Sequence, residues 1–170
     1  MTSFINVGNS KNNFERFFNI IKKYFKEIPK PIHIQYGYSN IKKEEFVDKD
    51  IFLYRFLEYE KYQELSENCE LFITHGGVGS IQTALSKNKF PIVIPRLKEY
   101  GEIINNHQLE ICKRLQTQKK ILLVLSEIDF EKKLKIFKIS DYKVNNNFLG
   151  KEKLITEIRN CLLNYENINH

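Results

Sequence analysis

Glu70-Leu71-Phe72-Ile73-Thr74-His75-Gly76-Gly77-Val78-Gly79-Ser80 passes from an apolar run into a cluster of glycines. Glu70 to Thr74 reads as a buried strand and Ser80 to Lys87 as the helix that follows it. Glycines at such a turn let a ligand approach the backbone, and the free N–H groups and dipole at a helix start favour phosphate oxygens. Ser80 can cap the helix or bond a phosphate directly. The same residues also make an ordinary tight connection with no ligand. Their spacing matches neither Gly-x-Gly-x-x-Gly nor Gly-x-x-x-x-Gly-Lys-Ser/Thr, so nothing points to NAD or ATP.

Outward from this segment, strands and helices alternate. Upstream, Phe4 to Val7 is strand-like and ends at Gly8-Asn9-Ser10; a helix then carries Phe14, Phe17, Phe18, Ile21 and Phe25 at helical spacing until Pro29 and Pro31. Ile32 to Tyr36 and Ile51 to Phe56 read as strands, and Tyr59 to Asn68 as a helix. Downstream, Pro91 to Pro95 is a strand, Arg96 to Ile104 a loop, Asn105 to Gln118 a helix, Ile121 to Val124 a strand and Glu127 to Phe137 a helix. Residues 141–150 read as a surface loop, and 151–170 as a terminal segment with an amphipathic helix over Lys151 to Tyr165. Its stripe Leu154, Ile155, Ile158 and Leu162 can pack on the chain's own core or dock a partner. The predicted fold class is α/β, a Rossmann-like parallel sheet flanked by helices and joined by right-handed crossovers, in a single domain over 1–170.

Composition excludes more than it selects. No apolar run reaches the roughly 20 residues that span a bilayer, and the start lacks a secretory pattern, so a cytoplasmic location is expected. Cys69, Cys112 and Cys161 are far apart and form no Cys-x-x-Cys pair, which argues against a disulfide framework or a zinc site. A net charge of +6 suits nucleic acid, an anionic membrane or a phosphorylated ligand alike. The basic pairs Lys22-Lys23, Lys42-Lys43, Lys119-Lys120 and Lys132-Lys133 are scattered, without the signature of a nucleic-acid binder.

Two more segments carry candidate chemistry, because ligands of open parallel sheets sit beyond the carboxyl ends of the strands. Gly8, Asn9 and Ser10 follow the first strand and would suit a second wall around a diphosphate, or simply a turn. Arg96, Glu102, Asn106, His107 and Gln108 belong to a polar loop and helix start that offer partners for sugar hydroxyls, although Asn105 or Asn106 also fits a helix cap.

Phe72 to Ile81 with Ala84-Leu85, then Pro91-Ile92-Val93-Ile94-Pro95-Arg96, then Tyr100-Gly101-Glu102 and His107-Gln108-Leu109 resemble the C-terminal domain of family 28 glycosyltransferases. The nearest likeness is to small bacterial capsule and exopolysaccharide glycosyltransferase subunits, which are similar to the catalytic subunit of the eukaryotic two-part enzyme that adds the second N-acetylglucosamine to dolichol-linked glycan. The resemblance implies one half of a GT-B glycosyltransferase that binds a UDP-sugar. It further implies a membrane-anchored partner subunit supplying the lipid-linked saccharide acceptor, and hence a peripheral position at the inner face of the membrane.

Carried over by position, Gly76, Gly77, Val78, Gly79 and Ser80 would hold the diphosphate with His75 beside them, and Arg96 would offset its charge. Glu102, His107 and Gln108 would face sugar or ribose hydroxyls, with His75 and Glu102 the candidate catalytic residues. The resemblance implies no metal and no cofactor. Relatives often read Gly-Glu-His-Val-Asp/Asn-Asp-His-Gln where this chain has Gly101-Glu102-Ile103-Ile104-Asn105-Asn106-His107-Gln108, and Thr83 stands where larger members often place a ribose-binding glutamate. The alternatives are a UDP-sugar epimerase, which normally needs two complete domains, and a non-catalytic UDP-sugar-binding subunit that regulates another transferase.

Overall fold

Every strand of the sheet runs the same way, so each connection must cross over it, and the helices that do so cover both faces. The computed structural model describes residues 1–139; the expected loop and terminal helix beyond them lie outside the described residues. The elements in order are β1 (Ser3–Asn6), α1 (Glu15–Tyr24), β2 (Ile32–Gln35), β3 (Ile51–Tyr54), α2 (Tyr59–Asn68), β4 (Leu71–His75), α3 (Val78–Ser86), β5 (Ile92–Ile94), α4 (His107–Thr117), β6 (Leu122–Leu123) and α5 (Glu127–Ile139). The strands lie in the order β3-β2-β1-β4-β5-β6, so the order reverses between β1 and β4. No helix among the described residues is long and apolar enough to cross a membrane.

The register explains the packing. Leu53, Ile34, Ile5, Ile73, Ile92 and Leu122 fall in one row across all six strands. Ile5, Ile34, Ile73 and Ile92 are fully buried, in a cluster with Phe14, Phe17 and Ile21 of the α1 segment and Phe130 and Leu134 of α5. One residue earlier on each strand the side chains point to the other face, as the pleat requires. There Phe4 and Phe72 meet edge to face at 5.4 Å, and His33 stacks on Phe52 at 4.9 Å. That face packs against Leu65 of α2 and Ala84 of α3, with Ile81, Leu85, Ile111, Cys112 and Leu115 of α3 and α4 alongside. Burial pushes the thiols of Cys69 and Cys112 up to about 11 and about 12, so both stay protonated.

Three local expectations change. α3 starts at Val78 rather than Ser80, with Gly77 as its extended N-cap and no side-chain cap, so Ser80 is the third helical residue and does not cap the helix. A 3-10 turn at Lys43–Phe46, with no periodicity to announce it, buries Phe46 at 4% exposure. α4 starts at His107, with Asn105 Oδ1 accepting the His107 N–H at 3.2 Å and Asn106 in the cap position without a side-chain cap.

Phe17 is fully buried and touches both Phe14 and Phe18. Phe17→Ala is expected to cost about 3–5 kcal/mol in urea unfolding, and Phe17→Leu clearly less.

Candidate functional site

One row beyond the apolar one, the three strands β2, β1 and β4 turn polar, with Gln35, Asn6 and Thr74 side by side. All three are buried. Polar groups at this depth require partners. Thr74 Oγ1 donates to Asn6 Oδ1 at 3.0 Å, and Gln35 Nε2 donates to Asn9 Oδ1 at 3.4 Å. Asn6 Nδ2 and Gln35 Oε1 have no partner within the protein.

His75 follows at the end of β4, 9% exposed, with Nδ1 3.3 Å from Thr74 Oγ1. With the Asn6 amide in this orientation, the Thr74 hydroxyl spends its one proton on Asn6. It can therefore only accept from His75, which assigns the proton to Nδ1 and leaves Nε2 as a lone-pair acceptor. Burial, helped by the positive charge of Arg96, lowers the imidazole to about 4, so the ring is neutral at ordinary pH.

The glycines divide by what surrounds them. A Cβ on Gly77 would sit 2.2 Å from His75 Nε2, and one on Gly8, which also has φ +67, would sit 2.6 Å from the same ring. A Cβ on Gly76 would meet Pro95, Gln108 and Cys112 at 2.9 to 3.2 Å. These three positions are small because protein fills the space. Around a Cβ on Gly79 there is nothing within 4 Å, although this residue lies in the first turn of α3.

Gly79 faces a cleft of about 520 Å³ at the reversal of strand order, lined also by Gly8, Asn9, His75, Gly77 and Ser80. Gln35, Leu57, Tyr59, Tyr62, Gln63 and Thr83 complete its walls. Of these the sequence marked Thr83, where larger members often carry a ribose-binding glutamate; the polar Gln35 at the end of an otherwise apolar strand was a signal that went unread. Tyr62 lies beside Ser80 and Thr83, and burial pushes its hydroxyl's pKa up. The first N–H groups of α3 lack intrahelical partners by helix geometry and end at this cleft.

The remaining candidates are not in this cleft. Arg96 is 1% exposed, with Nη1 donating to the carbonyls of Asn12 and Asn13 at 3.1 and 3.2 Å and its guanidinium over the Phe14 ring at 4.3 Å. Burial lowers it to about 10, which still leaves it charged at neutral pH. Glu102, 5% exposed, accepts from Arg16 Nε at 3.0 Å, from Arg16 Nη2 at 2.9 Å and from the Leu97 N–H at 2.9 Å. Asn106 Oδ1 accepts the Lys98 N–H and Gln108 Oε1 the Arg96 N–H. His107 is half-buried at the start of α4, and Ser10 Oγ accepts the Asn12 N–H. Val78 packs against the α3–α4 cluster. Arg96 and Glu102 thus tie the loop after β5 to the loop after β1 and to α1, while Asn106 and Gln108 fix the loop after β5 to the start of α4. Among the described residues no group of three or more His, Cys, Asp or Glu side chains is placed to hold a metal.

The glycosyltransferase family 28 C-terminal domain matches this chain over residues 4–135. Among solved structures, the glycotransferase of kitacinnamycin shares the fold with a TM-score of 0.63 at 17% identity, over 95% of this chain. This chain spans only 38% of that enzyme's. ALG13, solved by NMR, gives a TM-score of 0.58 at 15% identity, covering 84% of this chain and 87% of its own. None of the curated proteins matches in sequence.

Two measurements check the site's electrostatics. An imidazole in the unfolded chain titrates near 6.5 and His75 in the folded one near 4. As pH falls the unfolded chain takes up a proton that the folded chain refuses, so stability is highest above about 6.5 and falls by about 3 kcal/mol toward pH 4. His33, also lowered by burial, adds in the same direction. His75→Gln should flatten that slope in urea midpoints measured against pH. Separately, Glu102→Gln and Arg16→Met should each cost about 3 kcal/mol, with the double variant regaining part of the sum, since each single change strands a largely buried partner.

Proposed function

Because the chain belongs to the family of the glycosyltransferase family 28 C-terminal domain, we propose that its cleft between β1 and β4 holds a UDP-sugar. The sugar is passed, with inversion, to a polyprenyl-diphosphate-linked saccharide in capsule or exopolysaccharide synthesis. A membrane-anchored partner subunit supplies the acceptor half, which brings this chain to the inner face of the membrane. In the reaction an acceptor hydroxyl oxygen bonds to the anomeric carbon from the face opposite the nucleotide. The bond from that carbon to the diphosphate oxygen breaks, its electron pair leaves with UDP, and the hydroxyl proton passes to a base.

The observation that carries this reading is Gly79. Glycine in a helix costs about 1 kcal/mol relative to alanine, and here no protein atom requires it. A ligand lying against the first turn of α3 does require it. The N–H groups there offer donors to a diphosphate and stabilise the charge that develops as UDP departs, without a metal. Gly8 and Asn9 form the opposite wall, and Gln35 Oε1, buried and unpartnered, adds an acceptor.

His75 contributes a neutral ring whose Nε2 accepts from a ligand hydroxyl. A base works best when its pKa is near the working pH, and about 4 is well below it. The proton is therefore assigned to a group of the acceptor half. Arg96 and Glu102 act by fixing the loops and not by touching the sugar; His107 keeps its place as a group at the rim of α4.

Gly79→Ala separates folding from binding. It is expected to raise stability by about 0.5–1 kcal/mol in thermal unfolding while weakening UDP binding in calorimetry. Gly79→Val should weaken binding further, by roughly tenfold or more, equivalent to about 1.4 kcal/mol. UDP binding unchanged in both variants would remove the donor from this cleft. UDP binding without sugar transfer in the presence of the co-purified partner would favour a non-catalytic, regulatory subunit.

A further inference from the structure

A second and larger cleft, of about 790 Å³, lies on the other side of the loop that follows β1. Its walls come from that loop and α1 (Asn12, Asn13, Asn19), from the loop after β5 (Tyr100) and from the loop after β6 (Leu125, Ser126). All three loops leave the carboxyl ends of their strands, the same edge of the sheet as the first cleft. Asn9 faces one cleft and Asn12 the other, with two residues between them.

The chemistry of this cleft differs from that of the first. Asn12 Nδ2 donates to the Glu102 carbonyl, and Asn13 Oδ1 accepts from the Asn40 N–H. These bonds leave Asn12 with an acceptor, Asn13 with two donors and Asn19 with both kinds of group unengaged. A hydroxyl both donates and accepts, so a mixed array of planar amides matches a row of sugar hydroxyls. Tyr100, 60% exposed, presents an aromatic ring over Arg16 at 5.2 Å, and Ile20 and Leu125 add apolar surface for the C–H face of a pyranose.

Charge gives the nucleotide no advantage in this cleft. Arg16 is neutralised by two contacts to Glu102, and Glu127 pairs with Lys23. Among the described residues Glu15 is the lining charge without an ion pair, and it is negative, while the charged Arg96 lies behind the Asn12 and Asn13 carbonyls. The first turns of α1 and α5 reach this cleft at Glu15 and Glu127, but the carboxylates of Glu15, Glu127 and Asp129 already occupy those helix starts and Ser126 Oγ accepts the Asp129 N–H, unlike the arrangement at Gly79. A phosphate finds no excess of positive charge here, and a neutral polyol needs none.

We propose that this second cleft binds a neutral, hydroxyl-rich saccharide unit, the sugar of the acceptor, beside the donor. The acceptor role rests on the transferase reading above; the binding of a neutral sugar does not. This half of the enzyme then contributes directly to acceptor choice and does not leave it wholly to the partner.

The test is a nitrogen–proton NMR titration of the full chain with glucose, galactose and N-acetylglucosamine in parallel, each at millimolar concentration, with UDP and inorganic pyrophosphate as separate arms. At least one sugar should shift the side-chain amides of Asn13 and Asn19 and the backbone signals of Gly101 and Ser126, leaving Gly77 and Gly79 in place. Asn19→Ala and Tyr100→Ala, both exposed and free of protein hydrogen bonds, should each weaken that sugar by fivefold or more. Pyrophosphate should leave these signals unmoved. No response to any sugar, responses that survive both substitutions, or displacement by pyrophosphate would overturn the proposal. UDP failing to shift Gly79 would instead overturn the donor assignment, and the sugar response would stand apart from it.

Discussion

The His75 ring sets how closely two loops can approach where the strand order reverses. It stands on the last residue of β4, under Gly77 of its own loop and Gly8 of the loop after β1, with less room than any Cβ would need. Its orientation is held in turn by Thr74 and Asn6, which face each other because β1 and β4 are paired in register. A parallel sheet whose order reverses leaves a gap between two loops that diverge to opposite faces. In this chain one imidazole fills the floor of that gap, between the glycines of both loops.

The rest of the carboxyl edge is built around two arginines. Arg96 lies on the Phe14 ring and takes the carbonyls of Asn12 and Asn13, while Arg16, from the other direction, takes Glu102 and the Pro95 carbonyl at 2.6 Å. Each guanidinium presents several donors in a fixed plane, which lets one side chain hold groups far apart in sequence. The loops after β1 and β5 are thereby tied across the sheet, and Asn106 and Gln108 brace the loop after β5 against the start of α4.

Much of the fold was readable in the residues, because apolar runs and helical spacing determine buried strands and amphipathic helices directly. Tyr59 to Asn68 is helical between those same residues, and the strand before the glycines is displaced by one. Glycine misled the reading at α3, since residues chosen for space at 77 and 79 look like loop even where the backbone is already helical. The site was readable in part. The glycine segment and His75 drew attention by composition, and they do line the first cleft. Arg96 and Glu102 drew it as members of a polar loop and by their place in the family motif, but a charged residue in a sequence does not reveal whether its partner is a ligand or another loop. Tyr62 was invisible because it sits in a helix whose pattern is fully explained by packing; only the fold brings it beside Gln35 and Thr83. The chain's family membership agrees with the resemblance drawn from the motifs.

The loop after β1 is short of regular structure, yet its bonds run to Gln35, Asn40, Arg96 and Glu102. A segment held at so many points has already lost most of its conformational entropy in folding. A ligand that settles against either side of it has little left to order, so the attraction it gains is not spent on stiffening the wall.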